Sequence, residues 1–575
     1  MEVFDRFLAA ANAILWHNYA LFTLIGVGIL FTLWSGFCQW RALTHGWQVI
    51  RGKYDDAKDP GAINHFQALS AALSATVGLG NIGGVALAVA LGGPGAVFWM
   101  WVVGLLGMAI KLTEVTLSML YRNTDNPEAP HGGPMWVASK GFKRTYPKMG
   151  ALGTVIGGVF CITLLVSTIT GGNMFQAWNV GEITESYFGI PSVASGIVMA
   201  IVVGMVIIGG IKRIGAVAGR LVPAMCALYL LAGGYVLVVN AAHIPGVFAL
   251  IFESAFSPSQ ATGAFLGGTA AYAFLFGMKR ALFSNESGQG SSPIAHSAAK
   301  TDEPVREGVV AGLEPFVDTI VVCTFTALVI LTSGIWNRAP EAHYDQVPVF
   351  EQVRPGVWGL ATEPAPKLAH RRDEWSPNQA VFMVAEGIDN DQTGNNLHKV
   401  DGHIRMMDDE PFIEWDTLAS AEQPKLRDGG VYAVYAGATL TAKAFDTVRD
   451  GLGKWLVTIT AWLFAVSTMI SWSYYGEQGM IYLFGERSVL PYKFAYCGLI
   501  IVATAGLVET DAQLDNLTGL GTGLMLFANV PVILIFGNQA MRAYRNYMAR
   551  LKDGRMAAGH APPSIEDLIS GRDVR

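Results

Sequence analysis

Charge is scarce in this chain: of 575 residues only 15% are Asp, Glu, Lys or Arg, while 52% are hydrophobic. Soluble domains put about a quarter of their residues into those four types, so an ordinary aqueous enzyme is excluded. Cysteine is rarer still. Cys38, Cys161, Cys226, Cys323 and Cys497 lie singly in apolar segments, with no short pairing that suggests a metal site or redox couple. No clustered basic face accompanies the net charge of -6, which argues against a nucleic-acid partner. The opening MEVFDRFLAAANAILW lacks a positive leader and a small-residue cleavage site, so residue 1 is expected in the mature protein. Neither G-x-S-x-G nor H-E-x-x-H occurs, leaving a membrane-embedded hydrolase without its usual marks.

What the sequence does have is apolar blocks near the ~20 residues a helix needs to cross the hydrocarbon of a bilayer. Eleven candidate spans follow: 18–38, 64–91, 96–121, 152–176, 192–210, 214–240, 266–298, 308–335, 452–483, 491–508 and 517–540. Lys and Arg near span ends stay in the cytoplasm. Arg41, Arg51, Lys53 and Lys58 follow the first block, Lys140 to Lys148 the third, Lys212 and Arg213 the fifth. Gly92 to Gly95, residues 241–263 and Glu509-Thr510-Asp511 carry no basic residue. The N-terminus is therefore expected outside and the tail 541–575 in the cytoplasm. Residues 336–450 form a polar insertion placed outside by parity, with β-like runs such as Val431 to Tyr435. Within it, Asp389 to Gly394 imitates a calcium loop, but Val400 stands where the EF-hand needs its bidentate Glu, so a solvated turn is the better reading.

Two blocks are interrupted. The second reads Ser74-Ala75-Thr76-Val77-Gly78-Leu79-Gly80-Asn81-Ile82-Gly83-Gly84. Each glycine costs about 1 kcal/mol against alanine in a helix, so the cluster invites unwinding, which at membrane depth is tolerated only against protein or a wet cavity. Gly78, Gly80 and Gly83 also fit the dinucleotide fingerprint, but no strand precedes them and position 103 is Val where an acid is needed. Close helix packing is the plainer alternative. The seventh block contains Ser284-Asn285-Glu286-Ser287-Gly288-Gln289-Gly290-Ser291-Ser292-Pro293. A carboxylate there costs at least ~2.5 kcal/mol at the bilayer centre, so Glu286 is expected to face a cavity or the bundle interior. It serves equally well as a structural acceptor for freed backbone N–H groups. His296, in the same block, is expected to line a pore or pack. The breaks lie five spans apart, at the first helix of two units covering 64–240 and 266–540, and paired discontinuous helices point to a transporter site. Freed N–H groups suit a substrate carboxylate and freed carbonyls a cation.

These residues resemble the sodium:alanine symporter family of amino acid:cation carriers. The resemblance rests on Gly78 to Ala96, Gly132-Gly133-Pro134-Met135, Ser284 to His296 and Leu463 to Glu477. It implies an all-α polytopic membrane protein of about 11 helices: an extra N-terminal helix within residues 1–40, then a 5+5 inverted repeat of the leucine-transporter type, with 64–240 as one half and 266–335 plus 451–540 as the other. The implied activity is sodium-driven symport of alanine, glycine or a similar neutral amino acid in a bacterial inner membrane. A more polar substrate such as glutamine or serine, proton coupling, or an amino-acid sensor or channel are the alternatives. By position, sodium falls to backbone carbonyls of Ser74, Val77 and Phe464 and hydroxyls of Ser467 and Thr468, which without the resemblance read as helix back-bonding. The substrate carboxylate falls to Gly78 and Gly80 beside Thr76, and its ammonium to carbonyls near Ala75, Ser284 and Ser287. Asn81, Asn285, Glu286, Phe175 and Gln176 complete the expected substrate set, with packing and interhelical hydrogen bonding as the plainer role of the last two. Three positions depart from the family pattern: Ser287 replaces Ala, Gln289 an apolar residue, and Trp178 a small polar one. A more polar pocket is expected, with Gln289 nearest the substrate side chain.

Overall fold

The computed structural model describes the chain except residues 1, 57, 260–262, 369–374, 391–393, 408–409, 436, 507–510, 557–561 and 571–575. Residues 391–393 of the calcium-like turn and the tip residues Glu509 and Thr510 thus lie outside the described residues. Among the described residues, seven helices are long and apolar enough to cross a membrane: Ala10–Trp34, Gly95–Tyr121, Pro147–Phe188, Gly210–Val239, Pro304–Ser333, Leu452–Phe484 and Thr518–Lys552. His65–Thr76 and Gly80–Gly92 make an eighth if taken as one span bent by 54°. The chain is a multi-pass membrane protein. Large apolar side chains left exposed, among them Ile201, Met205, Leu231 and Val238, point outward where water would penalise them and acyl chains do not.

The other expected blocks hold shorter helices, Ser192–Ile207 and Val489–Thr504, and a broken pair, Ala270–Asn285 and Ser292–His296. Several helices fall outside every expected block, among them Glu2–Leu15, Pro134–Thr145, Ile244–Phe256 and Ala438–Asp446. Ile244–Phe256 lies along the stretch read as a loop, its Phe252 and Phe256 rings set edge-on to Phe98 with centroids 5.6 and 5.0 Å away. Ala438–Asp446 closes the polar insertion against the bend of the first broken helix, where Thr441 Oγ1 donates to the Ile82 carbonyl at 3.0 Å.

The all-α expectation fails in that insertion, where strands between Ala342 and Ala433 build two antiparallel sheets. The larger is organised around the hairpin Ala380–Asn390 and Asn395–Met407, flanked by Gly430–Ala433 on one side and Glu410–Trp415 on the other. The smaller joins Phe350–Arg354, Val357–Leu360 and Leu418–Ala419. The run Ala380-Val381-Phe382-Met383-Val384-Ala385 is apolar without alternation because both of its faces are covered. Val381, Met383 and Ala385 face the sheet's own core with Ile404 and Ile413, while Phe382 and Val384 face Ala264 and Leu266 of the helical part. Strand period decides the fold locally, whatever the helical context around it.

Helix starts are set by side-chain caps. Asn64 accepts from the Gln67 N–H while Gln67 bonds back to the Asn64 N–H, a capping box for His65–Thr76. Thr269 caps Ala270–Asn285 by accepting from the Tyr272 N–H at 3.2 Å. The five cysteines are free thiols, three of them buried.

Ile404 sits wholly inside the sheet core. Its substitution by Ala is expected to destabilise the sheet by about 2–5 kcal/mol, read as faster limited proteolysis between residues 342 and 433; an unchanged cleavage rate would contradict this packing.

Candidate functional site

The first break begins where Val77 leaves the helix in extended conformation, and the chain re-enters as a π turn at Gly80–Gly84. Asn81 Oδ1 accepts the Gly78 N–H at 2.8 Å, replacing a bond the helix no longer supplies. Gly78 is small because the long helix Leu452–Phe484 passes close by: a Cβ there would sit 2.8 Å from Thr468 Oγ1.

The second break begins at Glu286, a non-glycine residue in the left-handed region with φ of 55°, followed by Gly288 and Gly290 at φ of 85° and 82°. Such backbone costs of order 1–3 kcal/mol at a bulky residue and persists only where its surroundings fix it. Here Ser291 Oγ donates to the Glu286 carboxylate, Gln289 Nε2 donates to the Leu282 carbonyl at 2.9 Å, and Asn529 Nδ2 donates to the Gly288 carbonyl at 2.9 Å. Gly290 has no room for a side chain, since a Cβ would meet Pro134 Cγ at 2.4 Å. The Gly132 to Met135 loop thus braces the second break.

A small cavity of about 30 Å³ lies where the breaks face each other. Of the expected substrate residues, Ala75, Thr76, Gly78, Gly80, Gln176, Glu286 and Gln289 line it, as does Thr468 from the expected ion set. Among the described residues, five buried side-chain oxygens on its wall have no hydrogen-bond partner: Gln176 Oε1, Gln289 Oε1, Ser167 Oγ, Thr468 Oγ1 and Thr518 Oγ1. Ser167, Thr518, Phe283 and Trp472 were not anticipated. They come from four different helices, and no local pattern marks them.

Other expected residues stand elsewhere. Asn81, Ser284 and Asn285 turn away from the cavity into a cluster around Asp318. Asn81 Nδ2 donates to Asp318 Oδ1 at 2.6 Å and to Ser284 Oγ at 2.9 Å. Ser284 and Thr319 hydroxyls both donate to Asp318 Oδ2 at 2.8 Å, and Asn285 Nδ2 donates to Thr319 Oγ1 at 3.1 Å. Asp318 therefore clamps the two breaks together. Ser287 points toward Gly107 of a neighbouring helix, where a Cβ would meet its hydroxyl at 2.5 Å. Its departure from the family pattern thus adds no polarity to the cavity, whereas that of Gln289 does. Phe175 lies above the cavity, its ring edge-on to Phe283 with centroids 6.0 Å apart. Both rings also wall a larger cavity of about 330 Å³ on the side of the sheets.

Ser74 and Ser467 meet across the first broken helix and the long helix. Ser74 Oγ donates to the Ser467 carbonyl at 2.8 Å, and Ser467 Oγ donates to the Ser74 carbonyl at 3.1 Å. Val77 and Phe464 are fully buried beside them in the sequence of each helix. Only Thr468 of this set presents an uncommitted hydroxyl to the cavity.

His296 is neither pore-lining nor simply packed. Its Nδ1 meets Glu307 and its Nε2 meets Glu314, both at 2.5 Å. His65 holds the other oxygen of Glu307, and Lys111 the other oxygen of Glu314 at 3.2 Å. Lys111, Glu114, Glu307, Glu314 and Asp318 lie outside the glycine clusters of the sequence; what marks them there is an ionisable side chain inside an apolar block. Among the described residues no group of His, Cys, Asp and Glu has the geometry of a metal centre.

A multi-pass helical protein with two facing broken helices around a buried, oxygen-lined cavity has the build of a membrane transporter. The chain belongs to the sodium:alanine symporter family, which matches residues 1–359 and 426–560. It is a transporter and not an enzyme. The sodium/alanine symporter AgcS of Methanococcus maripaludis is 34% identical over 92% of this chain and 94% of its own. The putative sodium/proton-dependent alanine carrier YrbD of Bacillus subtilis is 30% identical over 95% of this chain and 93% of its own. The probable sodium/glutamine symporter GlnT of Bacillus subtilis is 36% identical over 67% of this chain and 74% of its own.

Asp318 accepts from three side chains, and an amide in its place offers one oxygen where the carboxylate offers two. Asp318→Asn is expected to cost about 1–3 kcal/mol, measured as a lower melting temperature of the purified protein; an unaltered melting curve would show that the clamp holds nothing.

Proposed function

We propose that the protein carries a small neutral amino acid, alanine or glycine, together with sodium, by alternating access around the cavity between the two breaks. The observation that carries this reading is the set of five unpartnered buried oxygens on the cavity wall. Buried polar atoms are normally hydrogen-bonded, and an oxygen set of this kind suits an ammonium group or a hard cation. Thr468, facing Gly78, sits where the ion and the substrate would share a wall, with Ser74, Val77, Phe464 and Ser467 as the remaining sodium set. The substrate carboxylate is assigned to the backbone around Gly78 and Gly80, and its ammonium to Gln176, Glu286 and the carbonyls before the bends.

Size argues for the smallest substrates. A buried water needs about 10–15 Å³ of such space, so 30 Å³ takes a few heavy atoms: even alanine enters only with movement of the wall, and a glutamine side chain requires still more. Gln289 is the residue assigned to face the substrate side chain. The arrangement is read as one N-terminal helix and two inverted five-helix units, with the N-terminus and the sheets outside the cell and the C-terminal tail in the cytoplasm. Energetics are adequate: one sodium entering against 100 mV supplies about 2.3 kcal/mol and a tenfold gradient about 1.4 kcal/mol more. Together they support roughly several hundredfold accumulation of a zwitterion.

Proton coupling is the competing reading, favoured by the buried run of His65, Glu307, His296, Glu314 and Lys111. Proteoliposomes offered labelled alanine, glycine and glutamine are expected to accumulate the first two only under an inward sodium gradient. Accumulation under a proton gradient without sodium would replace sodium by protons in the mechanism, and gradient-independent flux of all three would abolish coupling altogether. Thr468→Ala is expected to raise the sodium concentration for half-maximal uptake by about tenfold, the loss of one ligand worth ~1.4 kcal/mol; normal sodium dependence in that variant would remove Thr468 from the ion site.

A further inference from the structure

Residues 360–425 lie outside the family match, yet they carry most of the larger sheet. That sheet is fastened to the helical part. Asn395 Nδ2 donates to the Leu266 carbonyl at 2.8 Å, the Ala264 N–H donates to the Arg338 carbonyl at 2.8 Å, and Arg338 Nη2 bonds the Ala433 carbonyl. Phe382, Val384, Leu397 and Tyr432 add an apolar seal against Ala264 and Leu266. The sheet therefore roofs the bundle at a fixed height and encloses a chamber of about 410 Å³.

The floor of this chamber includes Leu87, Leu91 and Phe276, which also wall the 330 Å³ cavity beneath it. The two spaces adjoin across this shared wall, and Phe175 and Phe283 line the lower one. Among the described residues the chamber lining contains Arg338, His398 and Lys399 and no carboxylate. Arg338 lies 4.0 Å above the Tyr435 ring and Lys399 4.8 Å above that of Phe382. Their acidic partners, Glu341 and Asp401, each at 2.6 Å, are not part of the wall. Lysine has three donors and Asp401 uses one, so Lys399 keeps bonding capacity for an anion entering from the chamber. Trp336, Tyr272 and Phe276 supply large apolar surface opposite. Cationic and aromatic groups without an acid select a carboxylate on a bulky apolar body.

We propose that this chamber is a second binding site, for a carboxylate on a large aromatic or aliphatic body, held by Lys399 and Arg338. The space is more than ten times that of the central cavity, 410 against 30 Å³, so the occupant fits above the Phe175 and Phe283 rings and does not pass them. It blocks the approach from this side and inhibits uptake of the small substrate without being carried. The inference rests on the reading of the central cavity as a small amino-acid site, and it assigns this chain's own insertion a role in screening what reaches that site.

The test uses the full-length protein in proteoliposomes, with labelled L-alanine as substrate and L-phenylalanine, 3-phenylpropionate and 2-phenylethylamine as probes. L-Phenylalanine and 3-phenylpropionate are expected to inhibit alanine uptake, the amine to be at least tenfold weaker, and labelled phenylalanine to bind without accumulating inside. Lys399→Glu is expected to weaken inhibition by at least tenfold, with uptake in the absence of inhibitor within about twofold of the unaltered protein. Lys399→Gln, which avoids a charge reversal beside Asp401, is expected to weaken it in the same direction. Accumulated phenylalanine, or inhibition unchanged in both variants, would overturn the chamber as the site. Intact alanine uptake with no effect of phenylalanine would overturn the inference while sparing the central site, whereas absence of alanine uptake would strike at the central reading itself.

Discussion

Backbone polar groups in hydrocarbon have no water to bond, and the remaining structure answers to that constraint. A helix satisfies its own groups; a broken helix does not. Each break must be bought back by side chains reaching in from elsewhere. Asn81 takes up the Gly78 N–H, Gln289 and Asn529 take up the carbonyls of Leu282 and Gly288, and Asp318 ties the side chains of both breaks to a third helix. Because these groups are interior and mutually bonded, the breaks are held at one separation, and the cavity between them is a consequence of that spacing.

What the bonding leaves over is as informative as what it uses. Around the breaks nearly every polar group has a partner, but on the cavity wall five side-chain oxygens do not. Their helices are pressed close by small residues, as where Gly78 lets Thr468 approach. Lys111, Glu314, His296, Glu307 and His65 form a run of bonded ionisable side chains, each nearly or wholly inaccessible. Removing one partner from such a set strands a buried charge at a cost of several kcal/mol. These contacts tie together the helices that bear them.

The polar insertion follows a different physics. Its strands have period two and two covered faces, so it forms a sheet with a core of its own and a second apolar seal toward the bundle. It lies against Ala264 and Leu266 of the helical part, over residues the family model leaves unmatched, while the helices supply the walls of the central cavity.

The glycine cluster at Gly78 to Gly84 and the polar run at Ser284 to Ser292 were legible in the sequence because both violate helix propensity within apolar blocks, a local signal. Seven spans were legible as uninterrupted apolar length. Ser167 and Thr518 were not, because nothing in their own helices says which face meets a break elsewhere in the chain. Ser287 and Asn81 show the same limit from the other side: their residue types suit a binding site, yet one lies against Gly107 and the other against Asp318. Composition and spacing by themselves determined a multi-pass protein with two interrupted helices, since the bilayer fixes span length and glycine fixes where helices fail. Which polar groups face the cavity, and which are consumed in holding it open, was decided only by tertiary packing, because a hydrogen bond between distant helices depends on distance and direction in space and leaves no trace in local order.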